Sequence, residues 1–261
     1  MEKYKTILLT QENDVAVITI NQPDTLNALD STILTEINQA LDVVEVDESI
    51  KVLVITGSGE KSFVAGANIK DFVEMDTNDG YEFSRLGNEV FYKISTLRQP
   101  TIAAVNGYAL GGGSELAIAC DIRIASENAI FGQPEVGLGI PPGFGGTQRL
   151  PRLINPGIAK ELIFSGRNVK SDEAKEIGLV NKVVPLADLK DEVMKLAGQI
   201  AKNAPLAVEK SKQLINQGLD IPLEHGISLE TQAFSMSFGT EDQKIGAKSF
   251  VNKEKPTFKR K

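Results

Sequence analysis

The sequence has very few of the residues that build metal centres and disulfides. Its 261 residues include one cysteine, Cys120, one histidine, His225, and no tryptophan. A single cysteine excludes an intrachain disulfide framework and a cysteine-rich metal site. A single histidine excludes metal sites that need two, and it leaves one candidate base for a serine or cysteine nucleophile. Because His225 lies far from the glycine-rich segments described below, we expect a surface or packing residue.

Long apolar runs and a basic overall charge are also missing. No stretch approaches the ~20 apolar residues of a membrane-spanning helix, and the opening residues MEKYK lack the apolar core of a signal peptide. These absences predict a cytoplasmic protein. The net charge of −7 argues against nucleic acid as a partner, since such binding needs phosphate neutralisation. Residues 251–261 carry +4 against −11 elsewhere, and we expect a solvated tail there unless it meets an anionic ligand.

Hydrophobic patterning predicts alternating strands and helices in the first two thirds of the chain. The four consecutive apolar residues 52–55 are typical of a strand buried on both faces. Residues 14–20 and 101–105 predict further strands, and residues 31–46 and 81–97 predict helices. Shorter elements are predicted at 114–120 as helix and at 122–125 and 129–131 as strands. This alternation favours an α/β fold with substantial parallel pairing.

After about residue 185 the pattern predicts helices alone. They span roughly 187–203, 205–217, 222–238 and 241–252. A helical end of this kind forms a separate layer or subdomain. It serves either packing between subunits or packing on its own domain, and the pattern leaves both open.

Three well-known loop motifs match this sequence only in part. Gln148 stands where the third glycine of a dinucleotide fingerprint is required, and Glu60 stands where a P-loop has glycine. The nucleophile elbow G-x-S-x-G fails around Ser114, because Leu116 replaces its last glycine. Hydride transfer, nucleotide chemistry and triad hydrolysis therefore lose support together.

Three glycine-rich segments remain, at 63–70, 106–117 and 131–150. The second holds three consecutive glycines between a predicted strand and a predicted helix. Glycine lets the backbone approach a ligand closely, and the helix start offers N–H groups and a positive dipole end to an anion. Tight strand–helix packing explains the same glycines, and the pattern does not decide between the two.

Two glutamates stand in nearly uncharged surroundings within these segments. Glu115 lies in the first turn of the predicted helix, and Glu135 follows Pro134 in the stretch FGQPEVGLGI. A buried carboxylate is unfavourable unless it is paired or functional. The two residues form either an acid/base pair or structural, ion-paired glutamates.

Taken together, these segments carry a family resemblance. The matching strings are NQPDTLNAL, FVAGANIKD, IAAVNGYALGGGSELAIACDIRIAS, FGQPEVGLGI and GFGGTQRL, followed by DEAKEIGLVNKVV, NAPLAVEKSK and TEDQKIGAKSF. The chain resembles the crotonase superfamily, in particular its short-chain enoyl-CoA hydratases. The resemblance implies an α/β spiral of ββα turns over 1–198 and a helical oligomerisation region over 199–261. It also implies homo-oligomers in which trimers pair into hexamers.

The resemblance assigns roles in the hydration of crotonyl-CoA to 3-hydroxybutyryl-CoA. The backbone N–H groups of Ala67 and Gly112 hold the thioester carbonyl. Glu115 activates water, and Glu135 delivers a proton to C2. No metal or redox cofactor is implied, and coenzyme A enters as part of the substrate. Two alternatives are another superfamily reaction, such as double-bond isomerisation, and a non-catalytic acyl-CoA-binding protein.

The resemblance also implies contacts to coenzyme A. The chain departs from the usual pattern at several positions, among them Asp24, which replaces a basic residue and puts a phosphate contact there in doubt, and Ser114, which replaces a common cysteine. The implied binding residues are Leu26, Ala65, Asn68, Ile69 and Lys70, together with Phe250 and Lys253 from a neighbouring subunit. Asn68 replaces a usual aspartate and is expected to cap a helix. Phe144 stands where family members that accept a broader range of chain lengths have alanine. Its ring therefore either fills the space of a longer acyl tail or packs into the core or between subunits.

Overall fold

Strands and helices follow one another through the computed structural model, which describes residues 4–261 apart from the side chain of Lys70. The strands are β1 (Ile7–Glu12), β2 (Val15–Ile20), β3 (Val52–Gly57), β4 (Ser62–Ala65), β5 (Thr101–Val105), β6 (Tyr108–Leu110), β7 (Ile122–Ser126), β8 (Ile130–Gly132), β9 (Val169–Lys170) and β10 (Lys182–Val184). The helices are α1 (Ser31–Val46), α2 (Ile69–Phe72), α3 (Thr77–Thr96), α4 (Gly112–Ala119), α5 (Gly146–Leu153), α6 (Pro156–Ser165), α7 (Ser171–Glu176), α8 (Leu189–Ala201), α9 (Pro205–Gly218), α10 (Leu223–Ser237) and α11 (Glu241–Asn252).

The strands form two sheets that the chain visits alternately. The larger sheet has the order β1-β2-β3-β5-β7-β10, and the smaller has the order β4-β6-β8-β9. Pairing is parallel except between β1 and β2 and between β8 and β9. Each of the turns β3–β4–α3, β5–β6–α4 and β7–β8–α5 therefore places one strand in each sheet before its helix. This repetition is the spiral of ββα turns that the family resemblance implies.

The larger sheet is buried on both faces, as the apolar run in β3 predicts. Val52 and Val54 join one hydrophobic cluster with Val193 of α8. Leu53 and Ile55 join the main core with the helices on the other side. Since side chains alternate across a strand, four consecutive apolar residues supply both layers.

The predicted strands and helices are confirmed, with shifts of a few residues at some ends. The sequence prediction missed β1, the short strands β4, β6, β9 and β10, and the helices α2 and α5 to α7. Strands of two to four residues show too few alternations for a period to be read. Of the described helices, none is long and apolar enough to cross a membrane.

The helical end is also confirmed, and partly buried ion pairs connect it to the rest of the fold. The Lys212 ammonium of α9 lies 2.8 Å from the Asp121 carboxylate, and Arg98 donates to Glu209 at 2.9 Å. The expected boundary at residue 198 falls within α8, a helix that covers the larger sheet. The role of 199–261 in oligomerisation stays a prediction.

The basic tail is anchored by its backbone, which corrects the expectation of a wholly solvated segment. The buried carboxylate of Asp242 accepts the N–H groups of Lys259 at 2.6 Å and Arg260 at 3.0 Å. The Arg260 guanidinium donates to Glu209 at 2.9 Å. The sequence signal for this anchor is weak, because Asp242 also stands in the first turn of α11, where acids are common.

We expect Asp242→Ala to lower the free energy of unfolding by about 2 kcal/mol, because two backbone donors lose a charged acceptor. For a protein of this size that corresponds to a fall in Tm of about 4–8 °C, which calorimetry measures. Asp220→Ala is the control, since its exposed carboxylate lies 3.8 Å from Arg152. Equal Tm values for the two variants would contradict the anchor.

Candidate active site

The three glycine-rich segments meet at one edge of the smaller sheet. Its strands β4, β6 and β8 are parallel, so their carboxyl ends lie side by side. The segments that follow them directly are 66–68, 111–113 and 133–135. The carboxyl ends of parallel strands are where ligands bind in open α/β sheets.

The N–H of Ala67 points toward this edge because of a backbone bridge. Leu29 N donates to Gly66 O at 2.8 Å, and Asn68 N donates to Leu29 O at 2.9 Å. In this parallel bridge the two neighbours of Ala67, Gly66 and Asn68, make both hydrogen bonds to Leu29. The N–H of Ala67 itself therefore faces away from Leu29. On that side the backbone approaches the start of α4, and a Cβ on Gly111 would lie 3.8 Å from Gly66 Cα.

The second predicted donor, Gly112, is the first residue of α4. The N–H at this position has no acceptor within its helix and lies at the positive end of the helix dipole. Gly111 must be glycine, because its φ is +51° and a Cβ would lie 2.8 Å from Glu135 Oε1. A Cβ on Gly113 would overlap the Val64 carbonyl. The contacts of the run therefore confirm tight packing. Close approach to a ligand stays a prediction.

Glu115 is buried in the first turn of α4, with 1% of its surface exposed. Its Oε1 accepts the N–H groups of Phe144 at 2.8 Å and Gly146 at 2.7 Å. Backbone donors stabilise the ionised carboxylate in a place where water does not solvate it. The carboxylate therefore depends on the shape of the loop 143–146, which begins 28 residues later in the chain.

Glu135 opens a short 3-10 turn, Glu135–Leu138, and is also buried. With its amide oriented to satisfy both groups, Gln133 donates to the two carboxylate oxygens at 3.0 and 3.2 Å. Sequence reasoning missed Gln133. Its signal was a polar side chain beside Pro134 in an otherwise apolar stretch, and the side chain is 1% exposed.

The pKa values of both glutamates are raised. Burial is the main cause for Glu115, whose pKa rises to about 7, and the negative charge of Glu135 adds to the effect. The N–H groups of Gly146 and Phe144 and the positive charge of Arg149 act in the opposite direction. Burial likewise raises the pKa of Glu135. Carboxyls with raised pKa values can take up and release protons near neutral pH, which ordinary glutamates cannot.

Arg149 of α5 is a second residue that sequence reasoning missed. Its Nη1 donates to Phe144 O at 3.0 Å, within the loop that holds Glu115. The signal was a basic residue directly after the glycine-rich run GFGG.

Four of the residues expected to contact coenzyme A lie near Ala67: Leu26, Ala65, Asn68 and Ile69. Ala65 N donates to Leu26 O at 3.1 Å, so these two residues are adjacent. Leu26 and Ile69 are exposed apolar side chains. The side chain of Lys70 lies outside the described residues.

The cap expected from Asn68 is not formed. Asn68 stands at the N-cap position of α2, but its side chain accepts no helix N–H. Instead its Nδ2 donates to Asp71 Oδ1 at 3.1 Å. An amide can donate where an aspartate cannot, and a neighbouring carboxylate takes that hydrogen bond.

Phe250 and Lys253 lie at the end of α11. Phe250 is 86% exposed, and Lys253 is the left-handed residue that ends the helix. Their expected place in the site depends on a second subunit and stays a prediction. His225 is exposed on α10, as expected. No group of three or more His, Cys, Asp and Glu side chains within the described chain is placed to hold a metal ion.

Comparisons with known proteins agree with this geometry. Residues 10–261 match the family model described as enoyl-CoA hydratase/isomerase. The short-chain-enoyl-CoA hydratase of Clostridium acetobutylicum is 52% identical, with 97% of both chains covered. The crotonyl-CoA hydratase of Syntrophomonas wolfei is 50% identical, with 98% of both chains covered.

A crystal structure of an enoyl-CoA hydratase from Bacillus anthracis has the same architecture. It superposes with a TM-score of 0.96 at 39% identity, covering 98% of this chain and 100% of that one. Both the sequence match and the fold extend over nearly the whole chain. This chain therefore belongs to the enoyl-CoA hydratase/isomerase family of enzymes, the crotonase superfamily that its glycine-rich segments resemble.

Proposed function

We propose that this enzyme catalyses the reversible syn hydration of short-chain trans-2-enoyl-CoA, with crotonyl-CoA as its main substrate. The observation that carries the proposal is the buried pair Glu115 and Glu135 at the edge of the smaller sheet where Ala67 and Gly112 also lie. Two relatives at 50–52% identity, a short-chain-enoyl-CoA hydratase and a crotonyl-CoA hydratase, support the same reaction. A cytoplasmic location stays a prediction from the sequence.

The backbone N–H groups act on the thioester. Addition of water at C3 moves electron density onto the thioester oxygen, which becomes an enolate oxygen. Donors from Ala67 and Gly112 bind this oxygen more strongly than the neutral carbonyl. Preorganised donors of this kind lower the barrier, and losing one typically raises it by about 3–4 kcal/mol.

The two glutamates move the protons. Glu115 receives two backbone N–H bonds and is thereby supported as the ionised base that takes a proton from water. The hydroxyl forms a bond to C3, and Glu135 gives its proton to C2 as the enolate collapses. The two carboxyls transfer the protons, and the N–H groups stabilise the negative charge on the enolate oxygen. We therefore propose no metal or redox cofactor.

Subunit association extends the proposal. Exposed apolar side chains concentrate on α9, α10 and the end of α11: Ile215, Leu219, Leu223, Ile227, Phe234, Met236, Phe250 and Val251. Large exposed apolar patches mark interaction surfaces. We propose that 199–261 joins the chains into trimers that pair as hexamers, and that Phe250 and Lys253 reach a neighbour's coenzyme A.

The Phe144 ring is packed in the core, beside the proposed acyl site. It makes edge contacts with Phe83 and Phe91, at centroid distances of 5.1 and 5.5 Å. A Cβ on Gly87 would overlap the ring, and one on Gly112 would lie 3.1 Å from it. The ring therefore fills space next to a proposed oxyanion donor, and we propose that it limits the acyl chain length.

The first test of the function exchanges each glutamate for its amide. Glu115→Gln and Glu135→Gln should each lower kcat for crotonyl-CoA hydration by about 10²–10⁴-fold, the usual scale of lost acid/base catalysis. Loss of the enoyl absorbance measures the rate, and Tm reports folding. Glu48→Gln changes an exposed glutamate and should leave the rate unchanged. Near-wild-type rates in both site variants would refute the mechanism.

The second test concerns the neighbour's cation. Lys253→Ala should raise KM for crotonyl-CoA by about two- to fivefold, the scale of an exposed ion pair, and leave kcat nearly unchanged. The matched control is Lys248→Ala, an exposed lysine on the same helix. The effect should shrink as salt rises, because exposed charges are screened. If KM is insensitive to Lys253 at low salt, this lysine does not bind the coenzyme.

The third test separates packing from specificity at Phe144. Phe144→Ala should lower the ratio of kcat/KM for C4 over C8 enoyl-CoA by about tenfold or more, since hydrophobic size discrimination reaches about 10–200-fold. Tm should fall as well, because a buried ring is lost. Phe91→Ala removes a ring from the same cluster and should lower Tm alone. A C4 to C8 ratio that does not change in Phe144→Ala assigns the ring to packing only.

A further inference from the structure

One face of α3 supports the loop that holds Glu115. Ser84, Gly87, Asn88 and Phe91 are spaced as i, i+3, i+4 and i+7, so they lie on one side of the helix. Gly87 and Phe91 contact the Phe144 ring. The two polar residues contact the backbone of the same loop.

Both polar side chains donate to one carbonyl. Ser84 Oγ lies 2.6 Å from Gly143 O, and Asn88 Nδ2 lies 2.8 Å from the same oxygen. Asn88 also donates to Ser84 Oγ at 3.3 Å, which ties the two side chains together. A carbonyl with two side-chain donors on one rigid helix has a defined direction.

That direction matters because of the peptide unit to which the carbonyl belongs. The carbonyl of Gly143 and the N–H of Phe144 are parts of one planar trans peptide group, and they point in opposite directions. Fixing the oxygen therefore aims the N–H. The N–H of Phe144 is one of the two that hold Glu115 Oε1, at 2.8 Å.

We propose that Ser84 and Asn88 are positioning residues for the hydration reaction: by holding the Gly143 carbonyl, they direct the Phe144 N–H at Glu115 and set the orientation of this carboxylate. The inference rests on the proposed function, since it assigns Glu115 the role of base. The side chains themselves touch neither carboxylate. Loop geometry alone does not supply this restraint, because glycines flank Phe144 on both sides.

The proposal has a consequence for the titration of Glu115. The charged groups that act on it are the Glu135 carboxylate and the Arg149 guanidinium, and the neutral donors are the N–H groups of Phe144 and Gly146. A lost N–H bond destabilises the ionised form, so the pKa of Glu115 should rise further. Since the base must be ionised, the acid limb of the pH profile should move to higher pH.

The test is the double variant Ser84→Ala with Asn88→Ala, assayed by crotonyl-CoA hydration across pH. We expect kcat to fall by about 10–100-fold, because displacement of a catalytic group by about 1 Å has effects of this size. KM should change little, and the acid limb of kcat/KM should move to higher pH. Ser84→Thr combined with Asn88→Ala restores a hydroxyl donor and should recover part of kcat. Asn78→Ala, an exposed asparagine on the same helix, is the control.

The outcomes separate this inference from the proposed function. A double variant with a lower Tm but the wild-type kcat and pH profile would overturn the positioning role and leave a packing role. A loss of kcat without movement of the acid limb and without recovery by threonine would also overturn it. Failure of the function itself would show elsewhere, as full activity of Glu115→Gln.

Discussion

The arrangement of the site depends on the burial of one carboxylate, that of Glu115. Removing a carboxylate from water is strongly unfavourable unless donors replace the water. Here the replacement comes from two backbone N–H groups of the loop 143–146, so the loop must hold one shape. The conformation of that loop in turn requires a support, which α3 provides through Ser84 and Asn88 and α5 provides through Arg149. The proposed base is thus held by two parts of the chain, α3 and the continuous segment formed by the loop and α5.

The spiral explains why the remaining groups lie beside this carboxylate. Successive turns place β4, β6 and β8 next to one another in the smaller sheet, and each strand ends at the same edge. One turn brings Ala67, the next brings Gly112 and Glu115, and the third brings Glu135 with Gln133. Short strands suffice for this purpose, because the larger sheet and its two hydrophobic layers supply most of the core. The larger sheet therefore supplies most of the packing, and the smaller sheet positions the groups of the candidate site.

Charge is also distributed unevenly along the chain. Net positive charge is concentrated in residues 251–261, which carry +4 against −11 elsewhere, and Asp242 anchors this tail to α11. An anchored tail keeps the end of α11 in a defined place, which a ligand-binding role for Lys253 in a neighbouring subunit requires. The partly buried Arg98–Glu209–Arg260 bridge connects this tail to the segment before β5. The helical end is in this way connected to the sheets that carry the candidate site.

The sequence by itself determined the layered α/β fold, the helical end and the two acids that do not belong in apolar surroundings. Apolar periodicity is local, so residues 31–46 and 52–55 predict their elements without knowledge of their neighbours. The proposed roles of Ala67 and Gly112 came from the family resemblance, because every residue except proline has a backbone N–H and the residue type does not show which one binds a ligand. Only the tertiary structure decided which groups hold Glu115, where the Phe144 ring packs and how the tail is anchored. The contacts concerned join residues 17 to 61 positions apart, and such approaches depend on how the whole spiral closes rather than on any local period.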